Sequence, residues 1–210
     1  MRNTLLHRLT LIPEVIRLYY WAVRLGVRNF ARFFHDYRLV EQSGLLWHSQ
    51  YLQDAGDRIA GHVDPIAHYL AIGSENRRDP NLLFDSKYYL SEYSGVAESG
   101  INPLVHYLDH GAGEGRNPHP LFDTDYYLEH YGHLLAEGTN PLADFIENGS
   151  TGERNPCPLF DSKYYLSECP GVAESGINPL VHYLGHGARE GRDPHPLFDT
   201  DYYLEHYGHL

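Results

Sequence analysis

Two histidines one helical turn apart, His106 and His110, with Asp109 between them, are the first residues whose spacing suggests chemistry, and His182 and His186 repeat the pair. On a helix, imidazoles at i and i+4 share a face and can share a metal ion. A solvated helical face is the plainer reading. The matching positions elsewhere hold His68 with Ile72 and Asp144 with Asn148, and the pair lacks the companion glutamate of a zinc hydrolase. A second set is the adjacent tyrosines, Tyr88 and Tyr89, Tyr126 and Tyr127, Tyr164 and Tyr165, and Tyr202 and Tyr203. A row of such rings can stack on sugars or meet a partner protein, although on short helices aromatic residues more often form the core between units. No serine or cysteine sits in an activating motif, and acids such as Asp85 and Asp123 are accounted for by helix capping. No carboxylate pair is left for acid–base work. These residues therefore read as non-catalytic and needing no cofactor.

The elements that carry these side chains are repeated. Leucine recurs at Leu52, Leu90, Leu128, Leu166 and Leu204, and proline at Pro65, Pro103, Pro141 and Pro179, with one constant interval and no slippage. Intervals of this size mark arrays in which no unit buries its apolar face alone. Within a unit, Asp85 is placed to cap a short helix, with Phe84 and Tyr89 at the two positions of a hydrophobic staple. That helix is expected to end near Gly95, and a turn through residues 96–100 follows. The second helix opens on Asn102 and Pro103 and is expected to stop at Gly111 as a C′ glycine. Leu104, Tyr107 and Leu108 then face inward, while His106, Asp109 and His110 face solvent. Glu114 with Arg116, Glu153 with Arg154 and Glu190 with Arg192 are placed to link neighbours across the connector. The expected fold is all-α: a right-handed-type solenoid of α-α hairpins, four complete 38-residue repeats and a partial fifth over residues 43–210.

Residues 1–42 form a separate head with an N-terminal amphipathic helix. From Pro13, residues Ile16, Tyr20, Val23, Val27, Phe30, Phe34 and Tyr37 recur at helical spacing. Arg17, Arg24, Arg28 and His35 fall in a sector ~40° wide at the ~100° turned per residue, with Trp21 beside it. This helix reads either as a cover for the open end of the array or as an interfacial helix on an anionic membrane surface. In the second case the arginines meet headgroups while Trp21 and Phe33 dip in. Charge divides at the same place. Residues 1–40 carry seven arginines against Glu14 and Asp36, whereas the remainder holds nine basic and twenty-six acidic side chains, so the array is a poor match for nucleic acid. Cys157 and Cys169 fall where earlier units have His119 and Tyr93, which suits a reducing compartment rather than a disulfide frame. No secretory signal or spanning segment is visible, and the chain is expected to be cytoplasmic, peripheral to the inner membrane face through its head.

The copies are unequal witnesses. Residues 83–134 and 159–210 differ only at Tyr93/Cys169, Ser94/Pro170, Asp109/Gly185, Gly113/Arg189 and Asn117/Asp193, the mark of a doubled two-unit block. The sequence stops one helix into a fifth unit, so it is expected to be part of a longer protein.

The pattern Phe-Asp-x-x-Tyr-Tyr-Leu, Asn-Pro-Leu-x-His-Tyr-Leu-x-x-Gly and Glu-Gly-Arg-Asn/Asp-Pro-x-Pro-Leu resembles the repeats of bacterial cell-surface polysaccharide glycosyltransferases, over residues 43–210. The segment Asp36–Gly44 also resembles their lead-in. The resemblance implies a helical interaction or spacer region that precedes or separates catalytic domains, with a protein partner in cis or in trans. It departs at Leu45-Leu46-Trp47, where Leu-Phe-Asp is expected, at Asn76-Arg77-Arg78, and at Tyr93-Ser94-Gly95-Val96 in place of Asn-Pro-Asp-Val. No nucleotide-sugar-binding βα unit and no Asp-x-Asp metal motif is expected in these residues. The alternatives are a stand-alone protein-binding scaffold and a glycan-binding module.

Overall fold

The computed structural model describes residues 18–23, 26–55, 64–73 and 78–207. Among these residues the fold is all-α: the β-type pairings are three isolated bridges, each closing a tight turn such as Asn81 to Phe84. This follows from apolar residues that recur at three- and four-residue intervals rather than alternating.

The head is broken, not continuous. Helical residues 18–23 give way at Gly26, whose φ of 71° ends a right-handed helix. A new helix, α1 (Phe30–Ser43), then starts with Asn29 Oδ1 accepting from the amide of Arg32 at 3.1 Å. Arg28 lies exposed in the bend, off any straight stripe with His35, while Arg17 and Arg24 lie outside the described residues. Trp21 and Phe33 are buried in the common core with Leu18, Tyr37 and Val40, so neither ring is free to enter lipid. This corrects the expected interfacial face. Helix α1 packs on the first turns of the proline-led helices of two units, and the Tyr37 hydroxyl donates to Asp64 Oδ2 at 2.9 Å.

We number the units 1 (45–82), 2 (83–120), 3 (121–158) and 4 (159–196). Unit 1 contains α2 (His48–Ala55) and α3 (Pro65–His68); unit 2 contains α4 (Ser86–Glu92), α5 (Ser94–Ser99) and α6 (Pro103–His106). Unit 3 has α7 (Thr124–Tyr131) and α8 (Pro141–Asn148), and unit 4 has α9 (Ser162–Glu168), α10 (Pro170–Ser175) and α11 (Pro179–Gly185). A final helix, α12, spans Thr200–Tyr207. The caps stand where the spacing puts them. Asp85, Asp123, Asp161 and Asp199 each accept from the amide three residues on, at 2.8 to 3.0 Å, and each such cap is worth about 1 kcal/mol. Asp64, Asn102, Asn140 and Asn178 cap the proline-led helices in the same way.

Two expectations are corrected. Units 2 and 4 contain three helical segments rather than a hairpin: α5 and α10 occupy the span read as a turn, each closed by a glycine at φ 68° (Gly100, Gly176). Gly111 is not a left-handed C′ residue either. After α6 the chain continues as a wider π-type turn through Tyr107–Gly111, and a Cβ at Gly111 would strike the Tyr89 hydroxyl and the Tyr107 ring. Gly187 stands in the same relation to Tyr165. The glycine is there for close approach.

The core runs through all described units. Phe84, Tyr89, Leu104 and Tyr107 in unit 2 match Phe122, Tyr127, Leu142 and Phe145 in unit 3, all without exposed surface. Burying each such side chain contributes roughly 1.5–3 kcal/mol. Backbone bonds tie the start of each unit to the connector that leads into the next. The amides of Trp47, Asp85, Asp123 and Asp161 donate to the carbonyls of Pro80, Pro118, Pro156 and Pro194 at 2.9–3.0 Å, each bond one repeat on from the last. The connector in turn holds the first helix of the unit it enters, through a buried hydroxyl. At the start of unit 2, Ser86 Oγ donates to the Arg78 carbonyl at 3.0 Å, while its amide donates to Asp79 Oδ1 at 2.7 Å. Thr124 with Asn117, Ser162 with Asn155 and Thr200 with Asp193 repeat the device. Asn and Asp serve equally here because only a side-chain oxygen is needed.

Candidate functional site

The tyrosine and histidine sets, read separately in the sequence, meet inside the units. Tyr51 hydrogen-bonds His68 Nδ1 at 2.8 Å, Tyr89 bonds His106 at 3.0 Å and Tyr165 bonds His182 at 2.8 Å, each pair 17 residues apart. The expectation that His106 faces solvent is thus corrected: its ring is half-buried, and one ring nitrogen is committed to a core tyrosine. Burial holds the pKa of His68, His106 and His182 below the ordinary imidazole value, with the nearby arginine (Arg78, Arg116 or Arg192) pushing the same way. The same burial pushes the Tyr51 phenol up to about 12. The pair is therefore neutral at physiological pH.

Unit 3 differs. Its Tyr127 donates to Asp144 Oδ2 at 2.6 Å, and Arg154 reaches in to bond both the Tyr127 hydroxyl, at 3.0 Å, and the Asp144 carboxylate. Arg154 consequently does not pair with Glu153 as expected. Glu153 lies 4.0 Å from Lys163, both largely exposed. Arg116 and Arg192 do pair with Glu114 and Glu190, at 2.6 Å, but within one connector rather than between neighbours. Such exposed pairs contribute little to stability.

His106 and His110 stand with ring centroids 5.8 Å apart, as do His182 and His186. Among the described residues no group of three or more His, Cys, Asp or Glu side chains could hold a metal ion. Asp123-Thr124-Asp125 and Asp199-Thr200-Asp201 do spell an Asp-x-Asp pattern, which corrects the expectation that these residues hold none. Its first acid is the helix cap, and the second lies against a connector glycine, Gly115 or Gly191.

Of the tyrosines expected to form a glycan or partner face, Tyr89, Tyr127 and Tyr165 are fully buried and have no surface to offer. Tyr88, Tyr126 and Tyr164 are half-buried. Tyr88 and Tyr126 sit close to Asn117 and Asn155 in the following connector, so these rings serve the junction between units. Tyr202 and Tyr203 are about half exposed.

No helix among the described residues is long and apolar enough to cross a membrane. No protein-family model, curated protein or solved structure matches this chain.

Proposed function

We propose that these residues form a non-catalytic helical-repeat interaction or spacer region, arranged as a solenoid of 38-residue units and belonging to a bacterial surface-polysaccharide glycosyltransferase. The observation that carries the array is a hydroxyl bond repeated at four joints, in which Ser86, Thr124, Ser162 or Thr200 at the start of one unit donates to a carbonyl of the connector that ends the unit before. Bonds of this kind make every unit depend on its neighbour, as a solenoid requires. The association with glycan assembly rests on the sequence resemblance. The polar groups that recur inside the units, Tyr–His and Tyr–Asp–Arg, are engaged with one another, which favours a scaffolding role over a chemical one. This reading puts the protein in the cytoplasm, with Arg28 and the exposed Tyr19, Tyr20 and Val23 among the described head residues that can meet an anionic membrane.

Small-angle scattering tests the array. Removing unit 3 (residues 121–158) shortens a solenoid by one fixed increment and leaves its cross-section unchanged; a collapsed or unfolded product rejects the arrangement. The coding sequence past residue 210 tests the association. An in-frame α/β nucleotide-sugar domain supports it, whereas an immediate stop codon leaves the stand-alone scaffold. Liposome pelleting with and without residues 1–42 tests the membrane contact, and equal pelleting removes it.

A further inference from the structure

The last helix, α12, repeats a surface that earlier units show with its cover in place. In units 2, 3 and 4 a phenylalanine ahead of the first helix packs at an angle on a tyrosine within it. The pairs are Phe84 with Tyr89, Phe122 with Tyr127 and Phe160 with Tyr165, with centroids 5.3–5.4 Å apart. A third ring, brought by the proline-led helix, closes each pair. Tyr107, Phe145 and Tyr183 stand 5.6–5.7 Å from the phenylalanine and 5.8–6.1 Å from the tyrosine. Both members of every covered pair have no exposed surface.

At α12 the same pair is built and stands open. Phe198 and Tyr203 lie 5.7 Å apart with their planes at 39°, against 36–38° in the covered pairs, so the acceptor is already shaped. Phe198 is nevertheless 37% exposed and Tyr203 50%, with Leu197 and Tyr202 exposed beside them. The covering helices share one opening, Asn-Pro-Leu, at residues 102–104, 140–142 and 178–180, and the ring follows the proline by four residues. Their leucines, Leu104, Leu142 and Leu180, are fully buried. The asparagine of unit 4 also anchors on the unit before, since Asn178 Nδ2 donates to the Phe145 carbonyl at 3.0 Å. One repeat on, the carbonyl of Tyr183 holds that place.

We propose that α12 docks a helix of the form Asn-Pro-Leu-x-x-Tyr or Asn-Pro-Leu-x-x-Phe, supplied by a second protein molecule that carries this repeat. The incoming ring covers Phe198 and Tyr203 edge to face, as Tyr183 covers Phe160 and Tyr165. The leucine buries beside it, and the asparagine donates to the Tyr183 carbonyl. An ordinary amphipathic helix has apolar anchors at suitable spacing but lacks this ring and this asparagine. The proposal gives the interaction role a partner; it rests on the array reading and not on the link with glycan assembly.

The test adds a peptide of residues 176–192 in trans to the full chain and follows the backbone amides by nitrogen-15 NMR. Saturable shifts are expected in α12 and at the end of α11. A peptide carrying Tyr183→Ser should bind about tenfold more weakly, the least that burying one large ring is worth. Phe198→Ala in the chain should abolish the response. The peptide variant keeps the test decisive if Phe198→Ala disturbs α12, because it leaves the chain untouched. The proposal is overturned by the absence of saturable shifts, by shifts confined to other units, or by equal affinity for the Tyr183→Ser peptide. A chain that pairs with its own copy through α12 before any peptide is added would also overturn it. Removal of unit 3 tests the array separately, so a failed titration counts against this surface alone.

Discussion

In unit 2 the core hydroxyl of Tyr89 meets the imidazole of His106; in unit 3 the equivalent Tyr127 meets a carboxylate, Asp144, and a guanidinium enters to balance it. The scaffolding around the two is alike, with the same aspartate cap, asparagine–proline start and buried hydroxyl in the connector. The chain thus satisfies one buried phenol by two routes. The neutral pair needs no further partner. The charged one depends on Arg154 swinging away from Glu153, and so on a third residue from the connector. A neutral pair fails gently and a charged triad fails as a unit.

Removing one member of the triad is the largest expected break. Asp144→Ala leaves Arg154 in a largely buried place without its carboxylate, and should cost about 3–5 kcal/mol in urea unfolding. His106→Ala, which orphans only the Tyr89 hydroxyl, should cost about 1–3 kcal/mol. Equal losses would show that the charge on unit 3 is well solvated. Next comes Gly111→Ala, where the added methyl meets the Tyr89 hydroxyl. It should cost about 1–3 kcal/mol, while Gly95→Ala, with nothing within 4 Å of its added methyl, should be neutral or slightly stabilising. Tyr127→Phe should cost more than Tyr89→Phe, by about 1 kcal/mol, because two partners lose their bond instead of one.

The smallest and most selective effect is pH. Burial lowers the imidazole pKa of His106, and that of His119 falls to about 4 from 6.5. The unfolded chain therefore binds protons first as pH falls, and stability declines with it. The contribution of unit 2 is whole above about pH 6.5 and drains between 6.5 and 4. Unit 3 has Asp144 and Cys157 at these two positions and lacks both imidazoles. Hydrogen exchange at pH 7.5 and 5 should show protection lost in α6 before α8, after correction for intrinsic rates. Parallel loss in both helices would mean that the imidazoles carry no such share.

Much of the framework was legible because its signals are local. Asp85, Asn102 and Pro103 act within one turn of their own position, so their spacing is enough to locate the helix starts. The inward turn of His106 was not legible. Its partner Tyr89 is 17 residues away on another helix, and the same bond forms at His182, where the helix stays regular, so no local irregularity announces it. Gly111 misled for a related reason: glycine before a connector looks the same whether it serves a left-handed φ or a close approach. The head was misjudged at Gly26, where one residue at positive φ splits a pattern that is otherwise periodic from Ile16 to Tyr37. Arg154 sits beside Glu153 in the sequence and bonds Asp144 instead, a choice made by packing that no neighbour spacing encodes.

The bonds from the Thr124, Ser162 and Thr200 hydroxyls back to the connector carbonyls of Arg116, Arg154 and Arg192 measure 2.7, 2.7 and 2.8 Å, whether the join lies inside the copied block or beyond it. A misaligned copying event in the gene that gains or loses whole units would therefore leave no ill-fitting seam. Length can drift by such steps across generations while each surviving joint keeps its old geometry.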